Sequence, residues 1–414
     1  MHGRLLESDC ATTLLQSAGR GSRLMESKDG TVLATRNFPL PWQLHAKKTT
    51  ATFPWRRSSR FPPPLSDGWG DKKLGDQLSF QARVVTNASP AISMAVTVQS
   101  TELSYGNTGD TYLFPLFYGP AKSFRAAKPG QTVTRPSLII VPTYRAGIDD
   151  IGSRVPSVGI LKDKTVAVFG LGAIGAPLAM ELARNGCRRL TVIDHDVVEP
   201  GNSIRWPLGT TAWGVHKTAA IKQYVEAEYP WVEVEAIHHF VGAPTPSDGS
   251  AGDHLVLPPI IEKADLVIDA TASSGISRLL ADRCKKAGKP LISVFGTLSL
   301  KGGIVAYYHP TSGCPTCREF AYGNGLIEKA PGSGDRSGLQ QPPGCAELTF
   351  TGASFDLQEL SLEAARMAVD VLSQPEDFKE SLIHTLTLHD GTKRVPPSWR
   401  VDELQSLPEC GCST

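Results

Sequence analysis

The sequence predicts an α/β protein: a Rossmann-like, doubly wound, mostly parallel sheet in the C-terminal part, preceded by a small β-rich or partly disordered N-terminal region. Three observations predict it. Apolar, β-branched runs alternate with amphipathic segments from about residue 154 onward. A glycine-rich turn stands between the first such run and the first helical segment. The first 80 residues sustain neither a helical nor a strand period.

The elements follow in order. Residues 165–169 (TVAVF) form a strand closed by Gly170. Residues 174–185 read as a helix, ended by Gly186. Residues 190–194 are the next strand. Residues 216–228 are a helix with apolar Ala219, Ala220, Tyr224 and Ala227 among charged side chains. Residues 232–236 and 266–269 are strands, 282–287 a helix, 291–295 a strand and 357–372 a long apolar helix. Continuous apolar strands alternating with helices imply a parallel sheet covered on both faces. Three regions result: a basic, Pro-containing stretch over 1–80, a candidate for disorder; a small β-rich module over 81–150 without recognisable chemistry; and the α/β domain over 151–414.

Composition excludes several function classes. The 414 residues are 41% hydrophobic and carry 42 Lys+Arg against 41 Asp+Glu, so the net charge of +1 argues against a globally basic nucleic-acid binder. That balance hides an asymmetry, since residues 1–150 hold 18 Lys+Arg against 11 Asp+Glu. Arg56, Arg57 and Arg60, beside Pro62-Pro63-Pro64, read as a solvated linker in extended polyproline conformation. No apolar run approaches the ~18 residues of a membrane span. Glu7 and Asp9 stand where a signal peptide needs an apolar core. Eight cysteines are too sparse for a secreted disulfide scaffold. The expectation is a cytoplasmic protein with no membrane or nucleic-acid partner.

Gly170-Leu171-Gly172-Ala173-Ile174-Gly175 lies in the strand-to-helix context where glycines permit a tight turn and the helix N-terminus offers N–H groups to phosphate. Asp194 ends the second strand, where a carboxylate can accept from ribose hydroxyls. A phosphate loop of the GxxxxGK[ST] kind is absent, so this is not a P-loop ATPase. Asn202, Arg205 and Lys217 follow in quick succession. Cys314-Pro315-Thr316-Cys317 and Cys410-Gly411-Cys412 offer four thiolates that can surround one Zn²⁺; a redox pair at the first motif is the alternative. Cys345 stands apart, after a glycine-rich stretch.

In this ordered set the chain resembles the ThiF/MoeB/HesA adenylyltransferases, bacterial relatives of the ubiquitin-activating enzymes, over about residues 154–412. The resemblance implies ATP with Mg²⁺ bound by Gly170, Gly172, Ala173, Gly175, Asp194, Asn202, Arg205, Lys217 and Asp269. It implies catalytic roles for Arg205 and Lys217 on the phosphates and for Cys345 as acyl acceptor. It places a structural zinc at Cys314, Cys317, Cys410 and Cys412, on a C-terminal antiparallel extension. The implied partner is a small ubiquitin-like or sulfur-carrier protein whose C-terminal carboxylate is adenylated and then passed to a cysteine, with a downstream conjugating or sulfur-transfer partner and a homodimeric enzyme. Chemistry agrees: joining anionic ATP to a carboxylate calls for cations at the triphosphate.

Two departures stand out. Ala272 occupies the position where the family has a Mg²⁺-holding aspartate, in Asp269-Ala270-Thr271-Ala272-Ser273. Either Asp269 takes over the metal, or Mg²⁺ binds differently, or adenylation is weakened or lost. Ala173 replaces the third glycine of the family's turn. An NAD- or nucleotide-binding oxidoreductase and a non-catalytic nucleotide-binding scaffold of the same fold are the alternatives.

Overall fold

Alternation of apolar residues decides which strands can be covered on both faces, and the strand at residues 165–169 shows it. Val166 and Val168 join one apolar cluster, and Ala167 and Phe169 join the other. In this computed structural model, residues 152, 154–229, 231–243, 251–341 and 349–412 are described in full, together with the backbone of eight strands before residue 146. Contacts divide the chain into two units, Met1–Arg154 and Val155–Thr414.

The first unit is an antiparallel sheet of β1 (Cys10–Thr13), β2 (Arg23–Glu26), β3 (Val32–Thr35), β4 (Thr50–Phe53), β5 (Ala91–Met94), β6 (Thr97–Gln99), β7 (Thr111–Gly119) and β8 (Ser137–Arg145). Their order is β4-β1-β2-β3-β8-β7-β5, with β6 also on β7. The sheet therefore draws strands from both sides of residue 80.

The second unit carries β9 (Thr165–Phe169), α1 (Gly175–Arg184), β10 (Arg189–Asp194), α2 (Lys217–Glu228), β11 (Glu233–His238), α3 (Asp253–Lys263), β12 (Leu266–Asp269), α4 (Ser274–Lys286) and β13 (Leu291–Gly296). After these come β14 (Gly302–Tyr308), α5 (Pro315–Gly323), β15 (Leu339–Gln340), β16 (Thr349–Phe350), α6 (Ser354–Ser373), β17 (Ser381–Asp390) and β18 (Lys393–Leu404). The main sheet runs β11-β10-β9-β12-β13-β14-β17-β18. Its first five strands are parallel, and β14, β17 and β18 extend it antiparallel.

Helices cover both faces. α1, α2 and α6 contribute Leu178, Leu182, Ile221, Leu357, Leu360 and Met367 to one core; α3, α4 and α5 contribute Leu257, Ile261, Leu280 and Ala321 to the other. Each large buried side chain stabilises by about 1.5–3 kcal/mol. α3 holds Pro258 and Pro259 inside the helix, yet Leu257, Ile260 and Ile261 are buried. Packing of that apolar face offsets the lost N–H donors. No helix of the described residues is long and apolar enough to cross a membrane.

The topology fixes where a ligand can sit. After β9 the chain goes to β10 on one side; after β11 it returns to β12 on the other side of β9. The loops after β9 and β12 therefore flank a topological switch point, where open α/β sheets bind ligands.

Candidate functional site

The turn after β9 has sharp steric requirements at its ends and none in its middle. Gly170 adopts φ +84°, and a Cβ there would meet Thr271 N at 2.8 Å and Ala270 O at 2.9 Å. A Cβ on Gly175 would lie 1.9 Å from Gly170 O. Gly172 differs, because a Cβ there would meet nothing within 4 Å. Packing gives no reason for glycine at that point, and the open space leaves the backbone approachable from outside. Ala173 packs partly against the core. Ala176 is the first helical donor, to Gly172 O at 3.1 Å, so the N–H groups of Gly172 to Gly175 have no helical acceptor, an arrangement that can cradle an anion.

Asp194 ends β10 and ties the cradle down. Its Oδ2 accepts from Leu171 N at 2.5 Å and its Oδ1 from Asp196 N at 2.7 Å. Each oxygen keeps a further lone-pair direction, so the carboxylate can still accept from a ribose hydroxyl. Lys217 opens α2 and is only 8% exposed. Its backbone N–H donates to Asp196 O at 2.9 Å and its Nζ to Asp196 Oδ2 at 2.6 Å. An ammonium has three donors, which leaves two for another acceptor. Asp194, Asp196 and Lys217 are thus one linked group beside the cradle. Asp194, His195 and Asp196 bring potential ligand atoms within 4.8 Å of one another.

Asn202 serves the backbone. Its Oδ1 accepts from Glu199 N at 2.9 Å, closing a capping box on the short 3₁₀ turn Pro200–Ile204. Trp206 Nε1 donates to Leu171 O at 2.7 Å and anchors this segment to the cradle. Arg205, beside it, turns its guanidinium to β16, where Nη1 donates to Phe350 O at 2.6 Å and Nη2 to Thr349 Oγ1 at 2.9 Å. Half burial lowers its pKa from the usual guanidinium value.

Asp269 is 1% exposed. Its Oδ1 accepts from Thr271 N at 3.0 Å and Thr271 Oγ1 at 2.6 Å, and its Oδ2 from Ser277 Oγ and, at 3.3 Å, Ser293 Oγ. Burial raises its pKa against the pull of those hydroxyls. Four donors use all its lone-pair directions, so it shapes the loop after β12 and offers no face to a metal. Ala272 in that loop has φ +57°. Aspartate and asparagine tolerate this conformation better than alanine. The bend at Ala272 therefore carries no carboxylate.

Two tilted ring pairs lie at this edge. His216 packs on His238 with ring centroids 4.0 Å apart, and His195 packs on Phe240 at 4.1 Å. Burial and the neighbouring imidazoles lower the His238 pKa.

Four sulfurs converge at the far end of the α/β unit. Cys314 Sγ lies 3.9 Å from Cys317 Sγ and 3.4 Å from Cys410 Sγ, and Cys317 Sγ lies 3.3 Å from Cys412 Sγ. All four fall within 4.8 Å of one another. A tetrahedral Zn²⁺ with Zn–S of ~2.3 Å needs S···S of about 3.8 Å, so the set fits that ion. Leu407 N donates to Cys317 Sγ at 3.4 Å, a bond that favours the thiolate form. The short Cys-x-Cys spacing closes because Gly411 turns at φ +64°. A Cβ on Gly313 would meet Leu404 O at 2.6 Å, so glycine there lets the first knuckle approach the end of β18.

Burial pushes the pKa values of the Cys187 and Cys284 thiols up to about 12. The expected acceptor Cys345 falls in 342–348, outside the described residues. Sequence reasoning missed Asp196, Trp206, Thr349 and Phe350. The DxD spacing at Asp194 and Asp196 was the one available signal for the first; the others are contacts across the fold.

The profile described as "ThiF family" matches residues 152–347. The uncharacterized protein y4qC of Sinorhizobium fredii is 44% identical over 390 residues, which is 93% of this chain and 66% of that protein. Its y4oA is 34% identical over 366 residues, 86% of this chain and 57% of that protein. The "Adenylyltransferase and sulfurtransferase MOCS3" of Anopheles gambiae is 34% identical over 158 residues, 38% of this chain and 33% of that protein. The chain thus spans less than two thirds of the length of each of these relatives.

Proposed function

Residues 152–347 are a ThiF family domain, and from that premise we propose that the protein uses ATP to adenylate the C-terminal carboxylate of a small ubiquitin-like or sulfur-carrier protein. The carrying observation is the pairing of an open glycine with a buried cation. Gly172 has empty space above its Cα, and the Lys217 ammonium sits beside Asp194 and Asp196 at the switch point.

The triphosphate lies over the turn from Gly170 to Gly175, against the N-terminus of α1. Asp194 accepts from the ribose. The carrier's carboxylate oxygen attacks the α-phosphorus, the bond to the β-phosphate oxygen breaks, and pyrophosphate leaves. Lys217 and Arg205 offset the charge that develops on the phosphate oxygens. Asn202 keeps the Arg205 segment in place through its capping bond. The Cys345 thiolate then attacks the acyl carbon, expelling AMP and leaving a thioester for a conjugating or sulfur-transfer partner. Mg²⁺ bound with the triphosphate would neutralise part of the phosphate charge. Asp196 is the more accessible carboxylate of the Asp194–Asp196 group and the residue that would meet it. Zn²⁺ held by Cys314, Cys317, Cys410 and Cys412 would supply stability, since four thiolates leave no open position.

One observation favours a second reading, a scaffold that binds nucleotide without transferring it. Ala272 has no carboxylate, and the Asp269 carboxylate is enclosed. Exchange of labelled pyrophosphate into ATP separates the two. The adenylation reading expects exchange that depends on a small ubiquitin-like protein ending in Gly-Gly. ATP binding without exchange, for every such carrier encoded beside it, supports the scaffold.

A further inference from the structure

Arg205 follows a short 3₁₀ turn, yet its guanidinium is held by residues 144 and 145 positions later in the chain. Thr349 Oγ1 accepts from Nη2 and Phe350 O from Nη1, while the Phe350 ring lies 5.1 Å from Cζ. Two hydrogen bonds and an aromatic face fix both the position and the plane of the group.

The strut behind these contacts is itself braced. β16 pairs with β15 through Leu339↔Phe350 and Gln340↔Thr349. Thr351 N donates to Gly338 O at 2.7 Å, and its Oγ1 donates to the same oxygen at 3.1 Å. A Cβ on Gly338 would fall 2.2 Å from Leu298 O, so the hairpin base is pressed onto the turn between β13 and β14. Gly352 continues the contact, since a Cβ there would meet Leu300 Cδ2 at 2.4 Å.

What the strut holds is an uncompensated cation. A guanidinium has five donors, and Thr349 and Phe350 use two. Both acceptors are neutral, and among the described residues no carboxylate pairs with Arg205. A half-buried cation with neutral partners and donors to spare is a built receptor for an anion on its remaining edge.

We propose that Thr349 and Phe350 are positioning residues of the nucleotide site: they orient the Arg205 plane towards the ATP phosphates and so make the β15–β16 hairpin part of that site. This rests on the adenylation reading above. The coupling is reciprocal, so bound phosphate also holds the hairpin.

Calorimetric titration of ATP and of adenosine into the full chain tests it. Thr349→Val keeps the β-branched shape and removes the acceptor. It is expected to weaken ATP by about 10- to 150-fold, the worth of a hydrogen bond to a charged group, and to leave adenosine unchanged. Thr349→Ser restores the hydroxyl and should bind ATP within about twofold of wild type. Arg205→Lys should weaken ATP, and adding Thr349→Val to it should cost nothing more, because both changes remove one unit. Equal losses for ATP and adenosine, or additive losses in the double variant, would mean a merely structural role and overturn the proposal. If the wild type binds ATP and Thr349→Val binds it equally well, this inference fails alone. A wild type that binds no ATP overturns the adenylation reading, and this inference with it.

Discussion

Replacing Lys217 by alanine is expected to lower carrier-dependent ATP–pyrophosphate exchange by about 10²- to 10³-fold, the usual cost of losing one transition-state donor from a dry site. The size follows from burial. Lys217 is 8% exposed, and its ammonium is fixed at 2.6 Å from Asp196 Oδ2, so a phosphate oxygen beside it meets a cation that water screens poorly. Stability should change far less. The Asp196 side chain is 45% exposed and rehydrates when its partner goes. A fall in exchange of that size with a melting temperature shifted by only a few degrees separates chemistry from folding. Exchange within about threefold of wild type would remove Lys217 from the site. Lys217→Arg should not rescue, because the guanidinium is larger and its flat fork does not fit a slot shaped for a point charge.

The second large effect concerns the four cysteines. The protein should carry about one Zn²⁺ per chain, and Cys317→Ser should lose it. Cys317 is fully buried, receives the Leu407 N–H, and lies at 3.3 Å from Cys412 Sγ, so no neighbouring group can replace it. The four ligands join the start of α5 to the end of the chain after β18. Losing that clip is expected to lower the melting temperature by about 10 °C or more, equivalent to several kcal/mol for a domain of this size. Elemental analysis and a thermal scan on the same samples check it. A metal-free wild type, or a serine variant that melts with the wild type, would contradict the assignment.

The parts legible in the sequence are those whose physics is local. The glycine turn follows from strand, Gly spacing and helix, and Gly170 and Gly175 prove sterically obligatory. The helix at 357–372 showed its apolar spacing and is α6 (Ser354–Ser373). Each cysteine pair is legible because its spacing is local, whereas the meeting of the two pairs is set across the fold. Other parts are fixed across the fold. α3 went unread because Pro258 and Pro259 sit within it, and only burial of Leu257, Ile260 and Ile261 holds it. α4 begins eight residues before the sequence expectation, at Ser274. Gly275 and two serines mask its first turns, which Ser277 ties to Asp269. β1 to β4 span four residues each, too few to display a period.

The candidate site divides in the same way. Asp194 and Lys217 are joined through Asp196, which the DxD spacing alone signals. Arg205 is held by residues that no local pattern connects to it. Asp269 resembled a metal ligand by its place at a strand end, but its fate was set by Ser277 and Ser293, whose hydroxyls fold back onto it.

The most direct test is the crystal structure of the protein with a non-hydrolysable ATP analogue. The triphosphate is expected over Gly172, with Lys217 Nζ and an Arg205 nitrogen each at about 2.7–3.2 Å from phosphate oxygens. A triphosphate bound elsewhere, or one more than about 6 Å from both cations, would contradict that placement.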